Sequence, residues 1–230
     1  MKISILLPYK ENFSPIYPGA VSLFVKDTAN LSKYKKDIVV YGNTNYKKIF
    51  PIKYFNIALS SFKFQSKSKQ YVEKFIKIEK NNPSDLIEVH NRPNYLLEIV
   101  KSLGKKNLVL YFHNDPLTMT GSKSINERKF LLKICYKIIF NSNWSKKRFL
   151  EGMHDKFVSS EKLLVVFQSA KKLNVKIQKK QKQITFVGKL NKSKGYDIFG
   201  KAIIKILNKY PNWKANVAGD EQRDRIEFKH

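Results

Sequence analysis

Lys189 and Lys194 flank a short turn in the stretch ITFVGKLNKSKGYDIFGKAI, residues 184–203, and their placement is that of an anion site. The apolar run Ile184 to Val187 reads as a strand that stops at Gly188, and a helical pattern starts near Tyr196, just after Gly195. A strand that passes through a glycine-bearing loop into a helix aims backbone N–H groups and the positive end of the helix dipole at one small volume. Two ammonium groups beside that volume would suit a phosphate. In a chain so rich in lysine, two solvated side chains are the ordinary alternative, and the strand-turn-helix context is what favours the phosphate.

A second set of residues stands earlier in the chain. His113, with Asn114 after it, follows the apolar run Asn107 to Phe112, and His90, Asn91 and Arg92 follow the run Asp85 to Val89. Open α/β sheets bind ligands outside the carboxyl ends of their strands, so residues at these places are candidates for a cleft. The imidazole of His113 could accept, donate or move a proton near neutral pH. A histidine at a strand end is as readily a structural hydrogen-bonder. His90, Asn91 and Arg92 are assigned to shaping the cleft rather than to chemistry. Gly19, after Pro18, would allow a close backbone approach or simply turn the chain.

The elements that must hold these residues alternate. Strand candidates are Ile3 to Leu7, Asp37 to Tyr41, Asp85 to Val89, Asn107 to Phe112, Lys137 to Phe140 and Leu163 to Phe167. Between them, Val21 to Lys33, Lys67 to Asn81, Pro93 to Leu103, Asn126 to Ile134 and Trp144 to Met153 carry apolar residues three and four apart. That succession predicts a parallel sheet with helices on both faces, a Rossmann-like domain over residues 1–167, with the loops after 85–89 and 107–112 on one common edge. Residues 168–183, QSAKKLNVKIQKKQKQ, are polar and read as a linker. The pattern restarts with the strand at 184–187, a helix from Tyr196 to Lys209 and a strand from Lys214 to Ala218. Residues 184–230 therefore read as the beginning of a second Rossmann-like domain, too short by itself to bury both faces of a sheet.

Composition narrows the classes. The 230 residues suit one large domain or one domain and part of another, and 42% hydrophobic content is ample for a core. Lysine and arginine number 45 against 18 acidic residues, a net charge of +27 that draws anions of every kind. Only Arg92, Arg128, Arg148, Arg223 and Arg225 carry the guanidinium fork that base-reading proteins favour, so the basicity is a lysine habit more than a nucleic-acid signature. The single cysteine, Cys135, forms no internal disulfide, which fits a reducing cytoplasm. KISILLPY is too short for a signal sequence, and no run approaches the length of a membrane span. Neither a Walker A loop, a GxGxxG, an Asp-x-Asp nor a Ser/His/Asp signature occurs.

FVGKLNKSKGYDIFGKAI followed by WKANVAGDE resembles the start of the C-terminal domain of GT-B glycosyltransferases of the GT4 type. PGAVSLF, VHNRP, FHNDP and FNSNWSKKRFL resemble, in order and at suitable spacing, pieces of that family's N-terminal domain. The resemblance implies a retaining transfer of a sugar from a nucleotide-sugar donor to a saccharide or lipid-linked acceptor hydroxyl, in envelope polysaccharide, lipopolysaccharide or glycolipid assembly. It implies that Lys189 and Lys194, with Gly188 and Gly195, hold the donor diphosphate. It places His113 beside the donor sugar as the catalytic-site histidine, and Gly19, His90, Asn91, Arg92 and Asn114 on the acceptor side of the cleft. No metal and no other cofactor are expected. Lysine at 189 departs from the family's usual arginine. The family's paired glutamates have no counterpart here, so the chain is expected to be an incomplete and inactive piece of a cytoplasmic enzyme, with peripheral contact to the inner membrane face left open. The alternative from another class is a basic module that binds nucleic acid or anionic membrane through faces such as KKRFL.

Overall fold

The computed structural model describes residues 1–60, 65–104, 106–154, 161–169, 174, 176 and 179–219. The chain divides into two compact units, Met1–Lys171 and Lys172–His230. In the first, the elements run β1 (Ile3–Leu6), α1 (Ala20–Leu31), β2 (Ile38–Gly42), β3 (Tyr54–Asn56), α2 (Lys67–Asn81), β4 (Leu86–His90), α3 (Pro93–Leu103), β5 (Leu108–Phe112), α4 (Ile125–Ile134), β6 (Lys137–Phe140), α5 (Asn143–Leu150) and β7 (Leu163–Val165). The seven strands form one parallel sheet in the order β3-β2-β1-β4-β5-β6-β7. The fold is Rossmann-like, as the alternation of elements predicts.

Burial on both faces explains why the strands read as nearly continuous apolar runs. Alternate residues of β1 enter different cores. Ile3, Ile5 and Leu7 pack with Val21, Val25 and Ala29 of α1, while Leu6 joins the larger cluster with Tyr71 and Phe75 of α2, Leu96 of α3, Leu131 of α4 and Phe149 of α5. Local signals set where the helices start. Ser66 caps α2, Ser142 caps α5, and Ser124 with Glu127 forms a reciprocal capping box on α4. Pro93 occupies the first turn of α3, where a missing N–H costs nothing. Gly152, at a φ of 74°, lies just past α5, so this helix ends sooner than its apolar pattern suggests.

The short strand β3 is absent from the sequence reading. It is three residues long at the sheet edge and pairs Tyr54, Phe55 and Asn56 with Val40, Tyr41 and Gly42. Its side chains are exposed or half-buried, so it leaves no apolar run to detect.

The order of strands reverses direction between β1 and β4, which puts a crevice outside their carboxyl ends. The second unit contains β8 (Gln183–Val187), α6 (Tyr196–Lys209) and β9 (Lys214–Ala218), with β8 and β9 paired in parallel. Phe186 of β8 packs against Tyr196 and Phe199 of α6, with ring centroids 5.1 and 5.2 Å apart. Of the expected linker, residues 170–173, 175, 177 and 178 lie outside the described residues, as does the end of the second unit from 220 on.

Candidate active site

In the first unit, the segments after four strands converge on one cavity of about 320 Å³. Pro8, Lys10 and Glu11 come from the end of β1, Asn91 and Arg92 from β4, His113 and Asn114 from β5 and Gln168 from β7, with Ala20 and Val21 at the start of α1. Four of the expected residues, Asn91, Arg92, His113 and Asn114, thus share one pocket at the reversal of strand order.

Asn91 builds the junction. Its φ of 56° is left-handed, a conformation that asparagine tolerates better than most side chains. Its N–H donates to the Tyr111 carbonyl at 2.8 Å, and its Oδ1 accepts from the His113 N–H at 3.1 Å, so the ends of β4 and β5 are tied together. Arg92 turns its guanidinium back to donate to the Asn91 carbonyl at 2.8 Å. Asn141, after β6, donates to the His113 carbonyl at 2.9 Å.

His90 does not line the cavity. It is fully buried, lies flat against Tyr111 at 4.8 Å, and places its Nδ1 2.8 Å from His113 Nε2. Its other nitrogen, Nε2, lies 2.6 Å from Glu88 Oε1. The expectation that His90 shapes the cleft directly is therefore corrected: it reaches the cleft through His113. Phe24 of α1 closes the opposite side, edge-on to the His113 ring at 5.1 Å. Burial, reinforced by the neighbouring His90, pushes the His113 imidazole down to about 3, so it is neutral at pH 7. Burial, with Glu88 adding to it, raises the Tyr111 phenol.

Gly19 has a reason other than the one expected. Its φ is −79°, which any residue adopts, but a Cβ there would fall 2.0 Å from Glu11 Oε1. That oxygen accepts the Ser22 N–H at 2.9 Å, so Glu11 supplies the negative charge at the amino end of α1. The small residue leaves room for a carboxylate of the chain itself. Glu88, Lys10, Glu11 and Gln168 are absent from the sequence reading. Only Glu88 had a visible signal, a charge two residues before a strand-end histidine inside the apolar run LIEVH.

The second unit carries the other expected set. Gly188 ends β8, and Lys192–Lys194 form a single helical turn that Gly195 closes at φ 72°, ψ 22°, in the left-handed region. Gly195 is also the N-cap of α6, so only this conformation lets the turn feed directly into the helix. A Cβ on Gly188 would lie 3.8 Å from Lys194 Cβ, which brings the glycine and that lysine side by side. Lys189 and Lys194 are both exposed. Asp197 stands in the first turn of α6.

Around the cavity of the first unit, a carboxylate, a guanidinium, an ammonium, amides and a neutral imidazole offer both donors and acceptors, the set that recognises a polyhydroxylated ligand. Among the described residues no three His, Cys, Asp or Glu side chains gather as metal ligands would, and no helix is long and apolar enough to cross a membrane.

Comparison with known proteins supports the architecture. No protein-family model matches the chain, and no curated protein matches it. Among solved structures, HepE from Anabaena in complex with UDP aligns with a TM-score of 0.56 at 15% identity over 96% of this chain and 70% of its own. The lipopolysaccharide outer core galactosyltransferase WaaB, in its apo form, aligns with a TM-score of 0.59 at 16% identity over 96% of this chain and 62% of its own. UDP-N-acetylglucosamine 2-epimerase from Rickettsia bellii aligns with a TM-score of 0.54 at 13% identity over 97% of this chain and 62% of its own. At such identities the likeness is one of fold alone, the Rossmann-like GT-B architecture. The chain spans 62% to 70% of the length of these structures.

Proposed function

We propose that the chain serves the transfer of a sugar from a nucleoside diphosphate donor to an acceptor hydroxyl, with retention at the anomeric carbon, in the assembly of an envelope polysaccharide, lipopolysaccharide or glycolipid. The observation that carries the reading is the pocket of Asn91, Arg92, His113 and Asn114 at the reversal of strand order, in a fold shared with a galactosyltransferase and with a protein solved with UDP. In this reading His113 touches the sugar, and Asn91, Arg92, Asn114, Lys10 and Glu11 face the acceptor.

Lys189 and Lys194, with the backbone of Gly188 and Gly195, take the diphosphate. As the glycosidic bond to the donor breaks, the departing diphosphate gains negative charge. Cations already placed beside it stabilise that state more than the ground state, and the amino end of α6 adds its dipole. Lysine at 189 supplies a point charge rather than a bidentate fork, which favours charge over geometry. The donor's sugar and phosphates supply the reacting groups, and the scheme draws on no metal.

The +27 charge gives the competing reading, a module for nucleic acid or anionic membrane, its own test. Melting of the chain is followed with UDP or GDP, with single-stranded RNA, and with phosphatidylglycerol vesicles. A nucleoside diphosphate raising the melting temperature in 0.15 M salt, where RNA and vesicles do not, supports glycosyl transfer. Protection by RNA or vesicles alone defeats it. The epimerase fold relation calls for one control: a UDP-sugar incubated without acceptor should keep its sugar configuration.

A further inference from the structure

Glu88, His90 and His113 form a line of polar side chains on one face of the sheet. Glu88 and His90 are two residues apart on β4 and so point to the same side, while Ile87 and Val89 point into the core on the other. The register of β4 with β5 sets His90 against Tyr111, and His113 follows two residues later, with the His90 and His113 ring planes 22° apart and their centroids at 5.1 Å. The contacts run Glu88 Oε1 to His90 Nε2 at 2.6 Å, His90 Nδ1 to His113 Nε2 at 2.8 Å, and His113 Nδ1 to the amide nitrogen of Gln168 at 2.5 Å.

Each link fixes the next. An ionised carboxylate only accepts, so His90 Nε2 carries a proton and donates it to Glu88. At the far end, the Gln168 amide nitrogen only donates, so His113 Nδ1 is an unprotonated lone pair. The proton of His113 then sits on Nε2, where it donates to His90 Nδ1, whose lone pair is what the Glu88 bond leaves available. Both ends of the line demand the same arrangement.

We propose that Glu88 and His90 are positioning residues: they hold His113 as the neutral Nε2–H tautomer, so that its Nδ1 meets the cavity as a hydrogen-bond acceptor only. A ligand group that takes the place of the Gln168 amide there must bring a proton to the bond. A hydroxyl does so, while a phosphate oxygen would set lone pair against lone pair. The device therefore assigns the hydroxyl-bearing part of a ligand, not its phosphates, to His113. This consequence for the ligand rests on the glycosyl-transfer reading, but the tautomer does not.

The test reads the tautomer directly, in the ligand-free chain. Long-range 1H–15N correlation spectra of the chain with 15N-histidine distinguish protonated from unprotonated ring nitrogens, and the His113 signals are identified by their loss in His113→Asn. The expected result at pH 7 is a His113 with a protonated Nε2 and an unprotonated Nδ1. Glu88→Gln, nearly the same shape without the charge, should turn this single tautomer into a mixture, because an amide serves His90 as donor or acceptor alike and the Gln168 amide can then turn its oxygen to a protonated Nδ1. A native His113 that is protonated on Nδ1, or is a mixture already, overturns the proposal without any variant. So does a Glu88→Gln spectrum in which His113 is unchanged. Failure of UDP to protect the chain, by contrast, strikes the glycosyl-transfer reading and leaves the tautomer result standing.

Discussion

The two units are written in the same pattern of strand, glycine-bearing loop and helix, yet they bury very different shares of their apolar residues. Phe75, Phe112, Phe140 and Phe149 in the first unit are fully enclosed. In the second, Val187, Ile198 and Val217 are 77%, 70% and 44% exposed, and the well-buried residues are few, among them Leu190, Gly200 and Ile203. The candidate site residues follow the same division. His113 is held on every side by Asn91, His90, Phe24, Asn141 and Gln168, whereas the lysines of the 188–195 loop stand at the surface. A side chain enclosed in advance binds by geometry, while an exposed lysine binds mainly by charge.

The largest effect should come from testing that division of the core. Phe140 packs against both Phe112 and Phe149, with ring centroids at 5.6 and 5.3 Å. Phe140→Ala should lower stability by about 3–5 kcal/mol, because it removes a fully buried ring and leaves a cavity. Ile198→Ala should change it by about 0.5 kcal/mol or less, as at a surface position. The two tryptophans, Trp144 and Trp213, fall one in each unit, so urea unfolding of Trp213→Phe and Trp144→Phe backgrounds reports them separately. An Ile198→Ala loss as large as that of Phe140→Ala would mean that the apolar side of α6 is covered after all.

A smaller effect sharpens the contrast between geometry and charge. Lys189→Ala or Lys194→Ala should each weaken UDP binding by about 1.5–3 kcal/mol, the worth of a charged hydrogen bond. Lys192→Ala, in the same loop, should change it little and so controls for basicity alone. Lys189→Arg should hold or tighten binding by offering two parallel donors. Isothermal titration of all four variants decides the matter: three alanine variants that bind alike would reduce the loop to a solvated turn.

Apolar runs carry the sheet so plainly that its long strands and the α-helices of the described residues can be read from spacing alone, since a parallel strand buried on both faces has no polar side to confuse the pattern. Strand β3 escaped because an exposed three-residue edge strand has no such run. The candidate residues at strand ends could be placed for the same reason that the strands could, yet their interactions could not. Nothing in LIEVH says that His90, with Glu88 behind it, meets His113, since that follows from the pairing of β4 with a neighbour about twenty residues away. Gly19 shows the limit from the other side. A glycine suggests backbone freedom, but here it answers to the side chain of Glu11, whose position depends on how the end of β1 meets α1.

The last and smallest effect tests whether the order around His113 has an energetic signature. The groups facing the ring are Glu88 through His90, Tyr111 beneath His90, Phe24 of α1 and the Gln168 amide. Burial first, and His90 second, hold the folded imidazole down at about 3. In the unfolded chain it titrates near its ordinary value of about 6.5. Between those two values the unfolded state binds one proton more than the folded state, so the contribution of His113 is fully present above about pH 6.5 and is lost as pH falls, by about 1.4 kcal/mol for each unit. His113→Gln should remove that slope, because the amide keeps a polar partner for His90 but cannot charge. Subtracting the urea stabilities of the variant from those of the native chain at pH 7.0, 6.0 and 5.0 cancels the groups that do not touch His113, and this window lies above the range in which most carboxylates titrate. The difference should shrink steadily as the pH drops. A difference that stays constant would show that water reaches the imidazole freely, and the contrast between an ordered first site and an exposed second one would then rest on the lysines alone.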